Sequence, residues 1–166
     1  MYTKEETSIA NKTCRTNGTI GANAIIPRCI PKLCKKTDRI LDYGAGKDCL
    51  HAKALGYIGY IVDAHEFGDN FVDGRHTPNA LSNKYDVVYM SNVLNVQSSI
   101  QMLQRTMQEV MGVLEPGGFV VANYPKSPRK AELSDKELLA LLETFGTVEK
   151  VKMKYNALLV TIRSTT

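Results

Sequence analysis

The chain of 166 residues has no apolar run approaching the roughly 20 residues that a membrane-spanning helix needs. Its first residues, Met1 to Glu6, lack the apolar stretch of a secretory signal peptide. It also has no internal repeat, no low-complexity tract and no linker that would divide it. These absences predict a soluble, cytoplasmic protein with one domain, long enough to bury most of its apolar surface.

A metal site is not indicated, because the cysteines and histidines follow no ligand spacing such as Cys-x-x-Cys. The histidines also lie apart from most of the cysteines along the chain. We therefore expect reduced thiols and no bound metal. The residues concerned are Cys14, Cys29, Cys34, Cys49, His51, His65 and His76.

The net charge is only +4, from 21 basic against 17 acidic residues, so its distribution is more informative than its size. Two clusters are basic, and each could be a solvated face or a surface for phosphates, such as those of a nucleic acid. The second interpretation requires both clusters to lie on one surface. They are Arg28, Lys32, Lys35, Lys36 and Arg39, with one acid, Asp38, among them, and Lys126, Arg129 and Lys130.

From residue 38 onward, strands and helices are predicted to alternate. Apolar or β-branched runs predict strands over 39–43, 57–62, 85–90 and 119–123, with helices over 48–55 and 99–114 between them. Residues 1–37 show no clean periodicity beyond a short helix at 22–26, and they are predicted to form an N-terminal arm or lid. Residues 38–166 then form the main domain.

The end of the chain continues this alternation. Ser134 and Glu137 form a capping box for a helix that Gly146 closes, and two strands follow at 147–154 and 157–163 as a hairpin across Tyr155 and Asn156. The predicted fold is α/β, with three α/β/α layers. Its Rossmann-like, doubly wound sheet is mostly parallel, with an antiparallel hairpin at one edge.

In such sheets ligands bind beyond the carboxyl ends of the strands. After the first strand, Gly44 and Gly46 allow a tight turn and close approach of a ligand to the backbone. Asp63 follows Gly46 by 17 residues, near the roughly 20 expected of a carboxylate that binds ribose hydroxyls. The third glycine of a dinucleotide fingerprint is replaced by Cys49, which disfavours a pyrophosphate. S-adenosylmethionine, with its amino-acid end and its ribose, fits this pattern.

Three motifs in order resemble class I S-adenosylmethionine-dependent methyltransferases over residues 38–163. They are the cofactor loop Ile40 to Gly46, the fourth-strand segment Tyr85 to Leu94, and the turn Leu114-Glu115-Pro116-Gly117-Gly118 before the fifth strand. Asp42-Tyr43-Gly44, Leu55-Gly56-Tyr57, Asp63-x-His65 and Val93-Leu94-Asn95-Val96 are similar to small prokaryotic and phage methyltransferases, including some associated with DNA modification.

The resemblance implies roles for individual residues. The methionine moiety would lie against Asp42, Tyr43, Gly44, Ala45 and Gly46, the ribose against Asp63, and the adenine near Ala64 and His65. Ser91 and Asn92 would face the sulfonium and the substrate and are the candidate catalytic residues. His65 is equally compatible with a turn histidine, and Asn92 with a helix or turn cap.

Departures from the family leave the methyl acceptor open. The third strand is faint, with Asp73 as the candidate for its acid, and Ser91-Asn92-Val93-Leu94 replaces the Asn/Asp-Pro-Pro-Tyr/Phe motif of amino-group DNA methyltransferases. No Pro-Cys pair supplies a cytosine C5 nucleophile. The basic clusters slightly favour a nucleic acid or another phosphate-bearing acceptor. The alternatives are a small-molecule methyltransferase with the N-terminal segment as its lid, and a non-catalytic binding module. A homo-oligomer is compatible with either.

Overall fold

The computed structural model describes residues 2–8, 25–154 and 157–166. Part of the short helix predicted at 22–26, the thiol of Cys14, and the hairpin link Tyr155-Asn156 lie outside the described residues. At the N-terminus, residues 4–8 form a short helical stretch.

Six strands form one sheet in the order β2-β1-β3-β4-β6-β5. Strands β1 to β4 pair in parallel, whereas β6 runs antiparallel to both β4 and β5. The predicted fold class, a mostly parallel sheet with an antiparallel terminal hairpin, is confirmed. The strands are β1 Arg39–Tyr43, β2 Ile61–His65, β3 Tyr85–Met90, β4 Leu114–Pro125, β5 Thr147–Lys154 and β6 Ala157–Arg163.

Four helices cover the two faces of the sheet, two on each. They are α1 Ile25–Leu33, α2 Leu50–Tyr57, α3 Ile100–Gly112 and α4 Asp135–Leu142. Alternate strand residues point to opposite faces: Ile40 packs with α1 and α2, and Leu41 packs with α3 and α4. Among the described helices none is long and apolar enough to cross a membrane.

The helices on the α3–α4 face begin where the sequence places their caps. The Ser99 hydroxyl accepts the backbone N–H of Met102 at 3.1 Å at the start of α3. Ser134 and Glu137 form the predicted reciprocal capping box of α4. Each cap satisfies backbone groups that the first turn of a helix leaves without partners, and a single cap stabilises by about 1 kcal/mol.

Strand β2 starts four residues later than predicted. Tyr57, which the sequence pattern assigns to the strand, is the last residue of α2, and its side chain is 91% exposed. The backbone N–H groups of Ile58 and Tyr60 both bond to the Leu55 carbonyl, and Gly59 turns the chain at φ 98°. The strand therefore ends at His65 instead of Val62, which changes which residues stand at the edge where ligands bind.

The stretch between β2 and β3 holds no strand among its described residues, although the family has its third strand there. It contains two 3₁₀ turns, Gly68–Asn70 and Ala80–Ser82, and one isolated bridge between Asp73 and His76. Thr77 bonds to both backbone groups of Ala64, through its hydroxyl at 3.1 Å and its own N–H at 2.8 Å. This loop therefore covers the outer edge of β2 in place of a strand.

Candidate functional site

The glycine turn after β1 lies level with the end of β2. Tyr43 is the register partner of His65, and the His65 carbonyl accepts the N–H groups of Gly44 and Ala45 at 2.9 and 3.0 Å. Both glycines have positive φ, 79° at Gly44 and 75° at Gly46. A Cβ on Gly44 would stand 2.6 Å from Val93 Cγ2, whereas a Cβ on Gly46 would meet open space. The turn thus packs tightly on one side and leaves room for a ligand on the other.

Two side chains from the loop after β2 hold the two sides of Gly46. Glu66 Oε2 accepts the Gly46 N–H at 2.8 Å, and His76 Nε2 lies 2.8 Å from the Gly46 carbonyl oxygen. The other Glu66 oxygen accepts the N–H of Phe67, and burial raises the pKa of the Glu66 carboxyl. Neither Glu66 nor His76 is among the cofactor-binding or catalytic residues predicted from the sequence. A signal was present, because Glu66 follows Gly46 by 20 residues, nearer to the expected spacing than Asp63.

Asp63 does not reach the glycine turn in this structure. It lies two residues before the end of β2, paired in register with Leu41. Its carboxylate accepts the Tyr85 hydroxyl at 2.8 Å and lies 3.6 Å from the Arg39 guanidinium. Arg39 and Tyr85 begin β1 and β3, so the Asp63 side chain is directed toward the amino edge of the sheet, away from the ligand-binding edge.

Asp42 is fully buried at the end of β1. The Tyr89 hydroxyl donates to its Oδ2 at 2.8 Å, and within the described residues Oδ1 has no hydrogen-bond partner. Burial is the main cause that raises the pKa of Asp42 to about 8, and the nearby Glu66 adds to it. A carboxyl group in this state is well placed to gain from a cationic ligand.

Other buried polar atoms without a described partner lie at the same edge of the sheet. They belong to residues at or beyond the carboxyl ends of β2 and β3, just as Asp42 lies near the carboxyl end of β1. An unsatisfied buried polar group costs about 1–3 kcal/mol, so their concentration here indicates that a polar ligand completes the site. These atoms are His65 Nε2, Ser91 Oγ and Asn95 Oδ1.

His65 is an aromatic and uncharged element of the site. Its ring lies 5.3 Å from that of Tyr43 and 4.5 Å from that of Phe67, the latter at 88°. Burial lowers the pKa of His65 to about 4, so the imidazole is neutral at pH 7. Ala64, its neighbour, points away and packs beneath α2 with Cys49 and Ala52. The His65 ring therefore lies on the Tyr43 side of the glycine turn, whereas Ala64 belongs to the cluster against which Ala45 of the turn packs.

The predicted catalytic residue Asn92 is paired with another amide. The Asn92 N–H donates to Asn123 Oδ1, and Asn123 Nδ2 donates to Asn92 Oδ1, both at 2.7 Å. Asn92 adopts φ 57°, and its pair joins the carboxyl ends of β3 and β4. Asn123, which was not among the residues predicted for the site, is thus brought to Asn92 by the pairing of these two strands. Ser91, next to this pair, is buried, and its hydroxyl has no hydrogen-bond partner among the described residues.

Cys49, at the third glycine position of the dinucleotide pattern, keeps a glycine-like backbone. Its φ is 51°, it caps the N-terminus of α2, and it is buried. Its side chain adds a buried thiol at the position where the dinucleotide pattern has a third glycine. Cys29, Cys34 and Cys49 are free thiols.

Residues 2–8 pack across the front of this edge. The Tyr2 ring lies 4.9 Å from Phe67, and its hydroxyl lies 2.9 Å from Thr106 Oγ1. Because the Thr106 hydroxyl donates to Gln97 Oε1, the Tyr2 hydroxyl is the donor to Thr106. Glu6 forms an ion pair with Arg105 of α3.

The two basic clusters do not form one surface. Lys35 and Lys36 precede the first residue of β1 at the amino edge, whereas Lys126 follows the last residue of β4 at the carboxyl edge. Arg129 forms an ion pair with Asp135, with 2.5 Å between the guanidinium nitrogen and the carboxylate oxygen. On the α1 face, a groove of about 570 Å³ is lined by cations from both α1 and β5, namely Arg28, Lys32, Lys150 and Lys152.

The comparison with known proteins now decides the family. A family described as "Methyltransferase domain" matches residues 20–150. The chain belongs to this methyltransferase family. It is a member of the class I S-adenosylmethionine-dependent superfamily, and its cofactor is S-adenosylmethionine. The buried polar atoms without partners, and the open side of Gly46, fit such a ligand. No curated protein matches the chain.

Solved structures share the fold of this methyltransferase at low sequence identity. A TehB-like SAM-dependent methyltransferase from Corynebacterium glutamicum has a TM-score of 0.66 at 14% identity, over 93% of each chain. One from Bacteroides fragilis, in complex with S-adenosylhomocysteine, has a TM-score of 0.62 at 16% identity, over 86% of this chain and 78% of that one. The 1,6-didemethyltoxoflavin-N1-methyltransferase of Burkholderia thailandensis has a TM-score of 0.58 at 17% identity, over 78% of this chain and 72% of that one.

The tight side of the turn gives a first prediction. Gly44→Ala should destabilise the methyltransferase by roughly 1–3 kcal/mol, because the new Cβ meets Val93 and φ is positive. Gly56→Ala is the matched control: it lies in α2 at an ordinary φ with open space around its Cβ, and it should stabilise by roughly 0.5–1 kcal/mol. Urea unfolding measures both, and equal effects at the two sites would contradict the packing argument.

Asp42 gives a prediction on pH. Folded Asp42 keeps its proton up to about pH 8, whereas an unfolded aspartate loses it near pH 4. Between these values the unfolded state binds fewer protons, so stability falls as pH rises, by up to about 1.4 kcal/mol per pH unit. Because asparagine does not ionise, the Asp42→Asn variant does not lose stability in this way as pH rises. Its melting temperature relative to wild type, without cofactor, should therefore rise steadily from pH 5 to pH 8. A difference independent of pH would disprove the buried, protonated state.

Proposed function

We propose that Asp42, the glycine turn and Glu66 are the groups that hold S-adenosylmethionine. The observation that carries this proposal is the Glu66 carboxylate, which stands at the Gly46 N–H one residue beyond the end of β2. From there it can accept the ribose hydroxyls, the role that the sequence analysis gave to Asp63. Asp42 Oδ1, which has no described partner, can accept the ammonium of the methionine end.

Ligand binding at Asp42 has an electrostatic consequence. A cation beside a buried carboxyl favours its ionised form and lowers its pKa. Asp42 would therefore release its proton when the ammonium group arrives, and Tyr89 would go on donating to the carboxylate at Oδ2. His65, being neutral, and the ring of Phe67 provide a flat, uncharged surface that suits the adenine.

We further propose a small acceptor without phosphate groups. The pocket in front of Gly44 is lined by apolar and neutral polar side chains together with Glu66, and no lysine or arginine is among its described lining residues. A phosphate there would lack a cation and would face a carboxylate. Tyr2 and Thr7 are among the residues that line the pocket, which supports the interpretation of the N-terminal segment as a lid. Besides Gly44 and Glu66, the lining residues are Tyr2, Thr7, Tyr43, Phe67, Val93, Val96, Gln97, Met102 and Thr106.

Methyl transfer requires alignment more than acid–base chemistry. The sulfonium supplies an activated methyl group, and an in-line displacement needs the acceptor atom held opposite it with water excluded. The Asn92–Asn123 amide pair fixes the ends of β3 and β4, and Tyr2 with Phe67 closes the front. A base is needed only for a poor nucleophile. Positioning by these residues is therefore the proposed mechanism, with Ser91 beside the reacting groups.

A phosphate-bearing acceptor is the second candidate, and the cationic groove between α1 and β5 is the observation that favours it. The groove lies on the face of the sheet, away from the glycine turn. A nucleic acid bound there would have to extend around the carboxyl edge to present an atom to the pocket. The small acceptor requires no such path.

The cofactor assignment predicts that two carboxylates, Glu66 and Asp63, contribute differently to cofactor affinity. Glu66→Gln should weaken S-adenosylhomocysteine binding by about 10-fold to 100-fold, since a hydrogen bond to a charged group contributes about 1.5–3 kcal/mol. Asp63→Asn, the matched control, should change the affinity less than about threefold, because Asp63 is engaged with Tyr85 at the other edge. Isothermal titration calorimetry measures both. The reverse order of effects would restore Asp63 as the ribose ligand.

The acceptor assignment is tested with methyl-labelled S-adenosylmethionine. Label should pass to low-mass metabolites and not to DNA, RNA or protein. Tyr2→Ala should raise the KM for the acceptor about tenfold or more, through loss of a buried aromatic wall. Tyr57→Ala, which removes a tyrosine that is 91% exposed, should leave it unchanged. Label on nucleic acid would support the second candidate, and S-adenosylhomocysteine binding without transfer to any fraction would support a non-catalytic binding module.

A further inference from the structure

We propose that His76 is a positioning residue that holds the glycine turn in its cofactor-binding conformation. The inference rests on the proposed function, because it concerns the same turn. His76 lies 30 residues beyond Gly46 in the loop that replaces the family's third strand, and its side chain is almost fully buried. Nothing in the sequence spacing or in the family resemblance assigns it a role.

The contacts of His76 define one tautomer. The Gly46 carbonyl can only accept, so Nε2, 2.8 Å away, must carry a proton and donate it. The N–H of Val72 can only donate, so Nδ1, also at 2.8 Å, must be the acceptor. The Val72 carbonyl also lies 3.3 Å from Nδ1, but it already accepts the backbone N–H of His76 at 3.0 Å, and the Val72 N–H makes the shorter contact with Nδ1. An imidazole with its proton on Nε2 therefore satisfies both short contacts. The Phe71 ring stacks on it at 5.4 Å and fixes the plane of the ring.

Together with Glu66, this arrangement fixes both backbone groups of Gly46. The Glu66 carboxylate accepts the Gly46 N–H, and His76 Nε2 donates to the Gly46 carbonyl, each at 2.8 Å. A glycine at φ 75° has no side chain to restrict it and would otherwise populate several conformations. With both groups bonded to side chains of one loop, the turn is preorganised and loses less entropy when the ligand binds.

The same contacts couple Glu66 to His76. Each side chain reaches Gly46 from the same loop, and the Glu66 oxygens are shared between the N–H groups of Gly46 and Phe67. Without the imidazole, the Gly46 carbonyl would keep only the long contact of the Cys49 thiol at 3.8 Å. The peptide between Gly46 and Lys47 could then rotate, and the accompanying change in the φ and ψ of Gly46 could move the Gly46 N–H, which lies in the preceding peptide unit, away from Glu66. His76 thus acts on the cofactor through Gly46 and Glu66, without a contact of its own to the ligand.

The test uses two amides that each keep one of the two contacts. Asparagine reproduces the position of Nδ1, so His76→Asn keeps an acceptor for Val72 and loses the donor to Gly46. Glutamine reproduces the position of Nε2, so His76→Gln keeps that donor and loses the acceptor. We expect S-adenosylhomocysteine to bind about tenfold more weakly to His76→Asn, the equivalent of one lost hydrogen bond. His76→Gln should bind it within about twofold of wild type, although its melting temperature falls.

A purely structural role would give another pattern, with both affinities falling in step with the melting temperatures. That result, or wild-type affinity in His76→Asn, would overturn the proposal. Long-range ¹H–¹⁵N spectra of the ligand-free protein give a second measurement: His76 should show the Nε2–H tautomer, and the Nδ1–H tautomer would contradict it. Failure of the His76 proposal is distinct from failure of the cofactor assignment. In the latter case the wild-type protein does not bind S-adenosylhomocysteine, or Glu66→Gln binds it with normal affinity.

Discussion

The parallel register between β1 and β2 is the constraint on which the site depends. With Tyr43 opposite His65, the glycine turn and the loop that begins at Glu66 leave the sheet at the same level. The His65 carbonyl then bonds to the first two N–H groups of the turn, and the Glu66 carboxylate bonds to Gly46. A shift of the register by one residue would reverse the faces of all the β2 side chains and would separate Glu66 from the turn.

The main architecture could be predicted from the sequence, since it depends on local patterns. Capping residues such as Ser134 and alternating apolar strands each specify their own segment. The turn predicted at Pro116-Gly117-Gly118 is instead part of β4, because the strand begins at Leu114, which already pairs with Tyr85 of β3. The start of β2 could not be predicted in this way. Tyr57 and Ile58 have the side chains of a strand, but the helix continues through Tyr57, and only tertiary packing shows that both are exposed. Intrinsic preference is weak evidence when context overrides it.

The end of β2 lies three residues later than predicted, which explains why Asp63 was preferred to Glu66 in the sequence. A strand ending at Val62 would place Asp63 at the ligand-binding edge, whereas a strand ending at His65 places Glu66 there. His76 and Asn123 could not be identified because they act through contacts distant in sequence, with Gly46 and Asn92. Asp42, the glycines and Ser91 could be placed, because a turn directly after a buried strand has few possible positions.

The charge distribution around the site bears on the acceptor more directly than the net charge. The cations that line the α1 groove are absent from the described lining of the pocket before Gly44, which has Glu66 and neutral side chains. A pocket of this kind would repel a phosphate in its interior, where electrostatic interactions are weakly screened. It would also favour the positively charged cofactor over an anionic competitor. Under the proposed function, the same acidic character that would retain S-adenosylmethionine would restrict the acceptor to molecules without phosphate at the reacting end.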